Sequence, residues 1–188
     1  MDAANSLKTE GFGREAFESL SETIKLTGGL TLSQLCEITS LESTTVQNWV
    51  KRGWVEAPKA RRYGEFSVAR VLLLNSMRGA MQLDDIVMLM ASLNGRVDDR
   101  SDDIIPDSEL YNHLSAVTAL AGESTDGQLL EEAVDKRLEG YTEPKKGAKA
   151  MLREALLIMA YACRSTELAK ITKEKYNNYK ENYNVTGL

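Results

Sequence analysis

Two short helical segments separated by three residues constrain the fold of this chain more than any other feature. The run from Thr31 to Gln34 matches a capping box, in which the side chains of the first and fourth residues close the first turn of a helix. A second start signal lies at Thr44, with Gln47 three residues later, and this helix is expected to stop at Gly53. Between the two helices lies the segment 39–41. This spacing predicts a helix-turn-helix unit.

Helical patterns also dominate the rest of the chain. Phe17, Leu20 and Ile24 share one helix face and predict a helix ahead of the helix-turn-helix unit. A short stretch around Pro58 differs, because two extended pieces flanking a proline predict a small β-hairpin. Residues 148–163 are apolar on almost every side and are expected to be buried in a core or against a partner. Further helical faces are expected within residues 67–75, 83–93, 110–121 and 129–138.

Charge is divided unevenly along the chain, whose formal net charge is -5. Residues 25–80 carry eight basic and four acidic side chains, a net of +4, and residues 144–188 carry nine and four, a net of +5. Residues 81–143 carry four basic and fifteen acidic side chains, a net of -11. An acidic chain does not coat nucleic acid nonspecifically. A basic block that coincides with the helix-turn-helix segment nevertheless indicates a local basic face.

The second helix of the predicted pair carries a polar side that suits base recognition. The amides of Gln and Asn pair with adenine edges in the major groove, whereas Lys and Thr suit phosphate or guanine. A helix that begins directly after a tight turn can enter a groove with its N-terminal end. A solvated polar face without a ligand is the alternative. The polar side consists of Thr44, Gln47, Asn48 and Lys51.

The predicted hairpin concentrates positive charge. Lys59, Arg61 and Arg62 lie within four positions on an element too short to form a core. Basic side chains there can neutralise phosphates and set the register of a bound duplex. The alternative is a sheet edge protected by charge.

Several motifs follow one another in a recognisable order: Thr45-Val46-Gln47-Asn48-Trp49, then Gly53, then Arg61-Arg62-Tyr63, then Leu83-Asp84-Asp85-Ile86. In this order, residues 31–95 resemble the DNA-binding domain of the MerR-type (mercury-resistance regulator) winged-helix family. More closely, about the first 115 residues resemble an uncharacterised bacterial set of MerR-like proteins described as a domain of unknown function. The resemblance implies DNA binding and dimerisation. The closer match rests on the runs 47–53, 62–63, 93–95 and 102–105.

Other classes of protein find no support in the sequence. The sequence contains no glycine-rich phosphate loop, nucleophile elbow or metal-ligand cluster, which favours a protein that is not an enzyme and needs no cofactor or metal. Cys36 and Cys163 are far apart and predict a reducing, cytoplasmic compartment. The apolar run 155–163 is far shorter than the ~20 residues that span a bilayer, and the first residues lack the pattern of a signal peptide.

The segment 170–183 combines four lysines with Tyr176, Tyr179 and Tyr183. One interpretation is an additional contact to nucleic acid, with sugars or bases on the rings. The interpretation favoured by the pattern is an amphipathic terminal helix that packs its tyrosine stripe on the protein.

Together these patterns predict an all-α fold with a small β-hairpin wing, a winged helix-turn-helix followed by a helical C-terminal region. We expect a DNA-binding domain with an N-terminal helix over residues 1–96, an acidic linker over 97–109, and a helical region for dimerisation or effector binding over 110–188.

The expected function is sequence-specific binding of double-stranded DNA by a homodimer that regulates transcription. An effector of unknown identity is a further candidate partner. The alternative is a winged-helix module that binds a protein partner and not DNA. The expected DNA contacts are Thr44, Thr45, Gln47, Asn48, Lys51, Arg52, Lys59, Arg61, Arg62 and Tyr63.

Overall fold

The described part of the computed structural model is helical throughout. It comprises residues 17–183 except 96, 98–100, 102 and 123–125, so residues 1–16 of the expected first domain and part of the expected linker lie outside it. Eight helices form in this part of the chain. They are α1 Glu18–Thr27, α2 Leu32–Thr39, α3 Ser43–Lys51, α4 Glu65–Met77, α5 Leu83–Asn94, α6 Asp107–Leu120, α7 Gly127–Arg137 and α8 Ala148–Asn182.

Local capping interactions fix the start of α2, as the sequence predicts. The Thr31 hydroxyl accepts a hydrogen bond from the Gln34 backbone N–H at 3.3 Å, and the Gln34 side chain accepts one from the Thr31 N–H at 2.9 Å. Helix α3 begins at Ser43, close to the predicted start. Its N-cap residue is Glu42, whose side chain makes no capping hydrogen bond. Packing on α2 therefore contributes more to the stability of α3 than a side-chain N-cap does.

The predicted β-hairpin wing is wrong, because the segment between α3 and α4 contains no strand. Two isolated bridges occur there, Lys59 with Arg62 and Leu30 with Tyr63. Lys59 and Arg62 exchange backbone hydrogen bonds of 2.9 and 3.0 Å around a two-residue turn. The ladder cannot continue outward past Lys59, because Pro58 precedes it and has no N–H to donate. The expected winged helix-turn-helix is thus corrected to a helical pair followed by a tight turn, the basic turn (residues 59–62).

Helix α4 lies at the centre of the molecule. It packs against α1, α2, α5, α6 and α8. Its buried residues lie on all sides of the helix, from Ser67 to Met77. An apolar helix of this kind needs neighbours around its whole circumference, which explains how the N-terminal and C-terminal helices come together on one element.

Helix α8 is much longer than the apolar segment 148–163 from which it was predicted. Residues 148–163 form its first half and pack on α6 and α7. One hydrophobic cluster runs from Phe17 to Ala162 and crosses the expected boundaries at residues 96 and 110. The division at those boundaries stays a prediction. Beyond Thr166 the helix continues with mostly exposed side chains to Asn182.

A buried ion pair joins the N-terminal and C-terminal helices. The Arg70 guanidinium on α4 donates to the Asp107 carboxylate on α6 at 3.1 Å, and both side chains are less than a tenth exposed. Asn94 at the end of α5 donates to the other Asp107 oxygen at 2.7 Å. Arg70 also donates to the Trp54 carbonyl oxygen at 2.7 Å. The chain just after α3 is therefore tied to α4, α5 and α6 at one point.

Candidate nucleic-acid interface

Helices α2 and α3 form a packed pair around a short turn. Leu35 of α2 and Val46 and Trp49 of α3 are buried, so one side of each helix is committed to the core. The chain reverses at Ser40, whose φ of 55° is left-handed. The opposite side of α3 is left at the surface. This arrangement presents a helix of nine residues that follows directly on a tight turn.

The surface of α3 carries the polar residues that the sequence selects for base contacts. Thr44, Gln47, Asn48 and Lys51 are exposed. Thr45 is half-buried. These side chains can offer amide, hydroxyl and ammonium groups to a ligand that lies across the helix.

Arg52 and Trp54 end the α3 surface. The Arg52 guanidinium lies over the Trp54 ring, with its central carbon 4.8 Å from the ring centroid. Such stacking orients the guanidinium plane while its N–H groups stay exposed. Arg52 is therefore a positioned cation at the C-terminal end of α3.

The remaining predicted site residues lie on or next to the basic turn, where some are exposed and others hold the turn in place. Arg61 is exposed at its tip, and Lys59 is exposed but pairs with Glu56 at 3.0 Å. Arg62 donates to the Gly29 carbonyl oxygen at 2.9 Å. Tyr63 is 3% exposed, and burial raises the pKa of its hydroxyl. Arg62 and Tyr63 thus hold the turn against the chain before α2. Arg61 forms no ion pair with any acidic residue that the structure describes.

Gly29 allows this close contact. A Cβ atom at position 29 would lie 2.8 Å from the Arg62 Cβ and 2.9 Å from the Tyr63 carbonyl oxygen, and the φ of Gly29 is 117°. A side chain is excluded here on both grounds. The turn is consequently fixed beside α2 by backbone contact.

A wide groove runs alongside α3. Its volume is about 1330 Å³, and it separates α3 from the α4–α5 loop and from the second half of α8. Among the described residues that line this groove, five are cationic and one, Asp84, is acidic. All five cations are exposed, and none forms an ion pair with a described acidic residue. They are Lys51, Arg52, Arg78, Lys170 and Lys173.

Three of the five groove cations were not among the predicted site residues. Arg78 lies at the end of α4, where its side chain donates to Asn75 at 2.9 Å, and Asn75 in turn donates to the Thr39 carbonyl oxygen at 3.0 Å. Lys170 and Lys173 are one turn apart on α8. Their i, i+3 spacing shows that they share a helix face. The sequence gives no sign that this face lies opposite α3, because that depends on how α8 packs.

The tyrosines at the end of α8 do not pack on the protein, so the favoured interpretation of this segment is wrong. Tyr176, Tyr179 and Tyr183 are 56%, 52% and 69% exposed. Tyr179 and Tyr183 contact each other with ring centroids 4.9 Å apart. The rings lie mostly away from the groove, to which α8 contributes Thr166, Ala169 and the two lysines.

A second, much smaller cavity lies beside the buried ion pair. It is lined by Glu56, Arg70 and Asp107 among others and has a volume of about 20 Å³. That volume holds about one water molecule. The cavity therefore has no room for a small-molecule effector.

The described residues offer little for metal or thiol chemistry. No group of three His, Cys, Asp or Glu side chains among them is arranged to hold a metal ion. Burial, and then the Glu42 carboxylate, raise the pKa of the Cys36 thiol, which keeps it protonated at neutral pH. Over the same part of the chain, no helix has the length and hydropathy to cross a membrane.

Comparison with known proteins gives a family without an assigned activity. A family model described as "Domain of unknown function (DUF1836)" matches residues 19–114. The chain is also 33% identical over 90 residues to the "Uncharacterized protein YkrK" of Bacillus subtilis (strain 168). The shared segment covers 46% of this chain and 39% of that protein, so the chain matches less than half of its relative. No solved structure matches.

The expected MerR-type winged-helix family is wrong. The matching family is DUF1836, and no MerR or winged-helix family model matches the chain. The motifs that suggested it are short and surround a helix-turn-helix pair, a unit that recurs in many folds. The region matched by the family model includes α1 to α5 and the first part of α6, and α7 and α8 lie beyond it.

Proposed function

The chain belongs to the DUF1836 family, and we propose that it is a sequence-specific DNA-binding protein that regulates transcription and is not an enzyme. The observation that carries the proposal is the exposed polar face of α3 beside a groove whose described charged side chains are cationic at five positions of six. Nothing in the family description names an activity. The proposal therefore stands on the residues of this chain.

Helix α3 has the form required for reading a major groove. A major groove about 12 Å wide admits one α-helix, and side-chain amides can pair bidentately with adenine. Gln47 and Asn48 provide two adjacent amides on the exposed side of a helix that α2 holds in place. In this proposal they contact bases, while Thr44 and Lys51 at the edges of the same face contact the backbone or guanine.

Cations around α3 suit the flanking phosphates. Arg52 continues the α3 surface, and Arg61 is exposed at the tip of the basic turn, which lies against the chain before α2. The phosphates of a DNA backbone lie at regular intervals and can pair with several separate cations on one surface. The net charge of -5 limits nonspecific affinity, so that binding depends on this one face.

The proposed active form is a homodimer in the cytoplasm. Leu168 and Ile171 are each 44% exposed on the half of α8 that extends beyond the core, and they continue into the exposed tyrosines. We refer to Leu168, Ile171, Tyr176, Tyr179 and Tyr183 as the outer stripe of α8. A helix this exposed gains stability mainly by packing its apolar side, and a second copy presents the same stripe. Both cysteines carry free thiols, as expected for the reducing cytoplasm.

A protein-binding module without DNA affinity is the competing function. The outer stripe favours a protein partner at that place, which a second copy satisfies. The face around α3 is polar and cationic instead of apolar. Charged groups of one sign around a helix that can read bases favour DNA over a protein partner there.

The proposal is tested by selecting duplexes from a random-sequence library with the wild-type protein and titrating the selected duplex against salt. We expect enrichment of a defined sequence and an affinity that falls as salt rises. Gln47→Ala and Asn48→Ala should each weaken binding to the selected duplex by about 1–3 kcal/mol, the usual value of one bidentate base contact.

A matched substitution separates recognition from general damage. Gln128→Ala removes an exposed helical glutamine on α7, away from α3, and should bind as the wild type does. The proposal is overturned if the wild type enriches no sequence and shows no salt-dependent affinity for duplex DNA. It is also overturned in its residue assignment if Gln47→Ala and Asn48→Ala bind the selected duplex like Gln128→Ala.

A further inference from the structure

We infer that Lys170 and Lys173 of α8 form the second wall of the DNA interface and contact phosphates beside the segment read by α3. This inference rests on the proposed function and adds a C-terminal element, outside the matched family region of residues 19–114, to the binding surface. The juxtaposition that supports it is the groove between α3 and α8, whose walls carry cations on both sides.

Helix α8 is anchored to the end of α4 and the α4–α5 loop by a close contact one turn before the lysines. The Thr166 side chain is buried and its hydroxyl donates to the Met77 carbonyl oxygen at 3.5 Å. A Cβ atom on Gly79 would lie 2.6 Å from the Thr166 methyl group, so the α4–α5 loop approaches α8 as closely as a glycine allows. Lys170 and Lys173 follow within two turns of this contact and cannot move far from the groove.

The charges and size of the groove suit an anionic ligand larger than one phosphate. Lys51 and Arg52 line the groove from α3 and its C-terminal end, Lys170 and Lys173 line it from α8, and Arg78 lines it from the end of α4. Like charges kept on opposite walls repel each other unless an anion lies between them. A groove of about 1330 Å³ exceeds the size of a single phosphate, and cations on both walls match a chain of phosphates.

The two sides of α8 are suited to different partners. Among its described residues, Thr166, Ala169, Lys170 and Lys173 line the groove. At 3.6 residues per turn, Leu168, Ile171 and Tyr179 of the outer stripe lie opposite this face, and Tyr176 and Tyr183 lie at its flank. A second copy on the outer stripe therefore leaves the lysines free to contact DNA.

The test compares two double substitutions that remove the same charge from exposed lysines. Lys170→Gln with Lys173→Gln alters the groove, whereas Lys145→Gln with Lys146→Gln alters the exposed loop before α8. Position 147 and position 170 of α8 are about 35 Å apart along the helix, so the control lies far from the groove. Both proteins are titrated with the duplex selected by the wild type, at several salt concentrations, and circular dichroism checks that both fold.

Loss of two phosphate contacts should lower the slope of log affinity against log salt by about 1.8 for the groove variant. Affinity should fall similarly for selected and unselected duplexes, because phosphate contacts carry no sequence information. The control variant should keep the wild-type slope. If the wild type binds duplex DNA and the groove variant keeps its slope, this inference is overturned and the proposed function stands. If the wild type binds no duplex DNA, both are overturned.

Discussion

Two residues at the tip of the basic turn hold backbone angles that favour glycine. Ala60 has a φ of 48° and Arg61 a φ of 63°, both left-handed. A left-handed conformation costs a residue with a Cβ about 1–2 kcal/mol. Strain of this kind is tolerated where the surrounding structure fixes it and where the residue has a use. Arg61 points to such a use, because the turn holds its cation at the surface.

Substitution by glycine at the two positions separates backbone strain from charge. We expect Ala60→Gly and Arg61→Gly each to raise the free energy of unfolding by up to about 1 kcal/mol, because both relieve a left-handed Cβ. Urea unfolding measures this. Ala60→Gly should leave duplex affinity unchanged, and Arg61→Gly should lower the salt slope by about 0.9. Equal binding by the two variants would show that Arg61 makes no phosphate contact.

At the scale of elements, the Arg70–Asp107 pair connects the chain just after α3 to the central helices of the molecule. Asp107 accepts from α4 and α5, and Arg70 reaches the carbonyl oxygen of Trp54 just beyond α3. A charged pair of this kind contributes little net stability over an apolar pair, but losing one partner leaves the other charge buried alone.

We therefore expect Asp107→Leu to lower the free energy of unfolding by about 3–5 kcal/mol, measured by urea titration. The double variant Arg70→Met with Asp107→Leu should be more stable than Asp107→Leu, because no charge is left unpaired. The exposed pair of Arg153 with Asp135, 2.6 Å apart, provides the control. Asp135→Ala should cost less than about 1 kcal/mol. A double variant less stable than Asp107→Leu would contradict this account.

The helices could be predicted from the sequence where their signals are local. The capping box at Thr31 depends on neighbouring residues alone, and it is found. The β-hairpin was wrong because basic and aromatic residues around Pro58 fit a short turn as well as a strand pair. The length of α8 was missed because the apolar run ends at Cys163, although no Gly or Pro interrupts residues 148–182.

The candidate site was predictable only in part, for a related reason. The exposed face of α3 follows from helical periodicity, so Gln47 and Asn48 could be chosen from the sequence. Charge counting cannot separate a surface cation from a buried one, and it grouped Arg70 with the basic block although Arg70 is 3% exposed. The sequence alone does not place Lys170 in the groove, because that position depends on the packing of Thr166 against Gly79.

At the scale of the whole molecule, basic side chains that are far apart in the sequence lie together on one surface. The acidic middle of the sequence contributes one described acidic residue, Asp84, to the groove, while basic side chains come to it from α3, α4 and α8. Positive charge from distant parts of the chain is thus focused on one face of an acidic protein. A dimer formed along the outer stripe of α8 would bring two such faces into one assembly, as a two-part DNA site requires.

The dimer is tested by placing a charge in the outer stripe. Light scattering should give the wild type a mass twice the 20.9 kDa of one chain, and Ile171→Glu should give a single chain, because a buried unpaired carboxylate opposes association. Leu26→Glu provides the control, since Leu26 is 87% exposed on α1, outside the stripe, and this variant should remain a dimer. Loss of the dimer should also weaken binding to a selected two-part duplex more than to one half of it, because the second contact then lacks a tether. A wild-type protein with the mass of one chain at micromolar concentration would exclude this assembly and leave the outer stripe to a different protein partner.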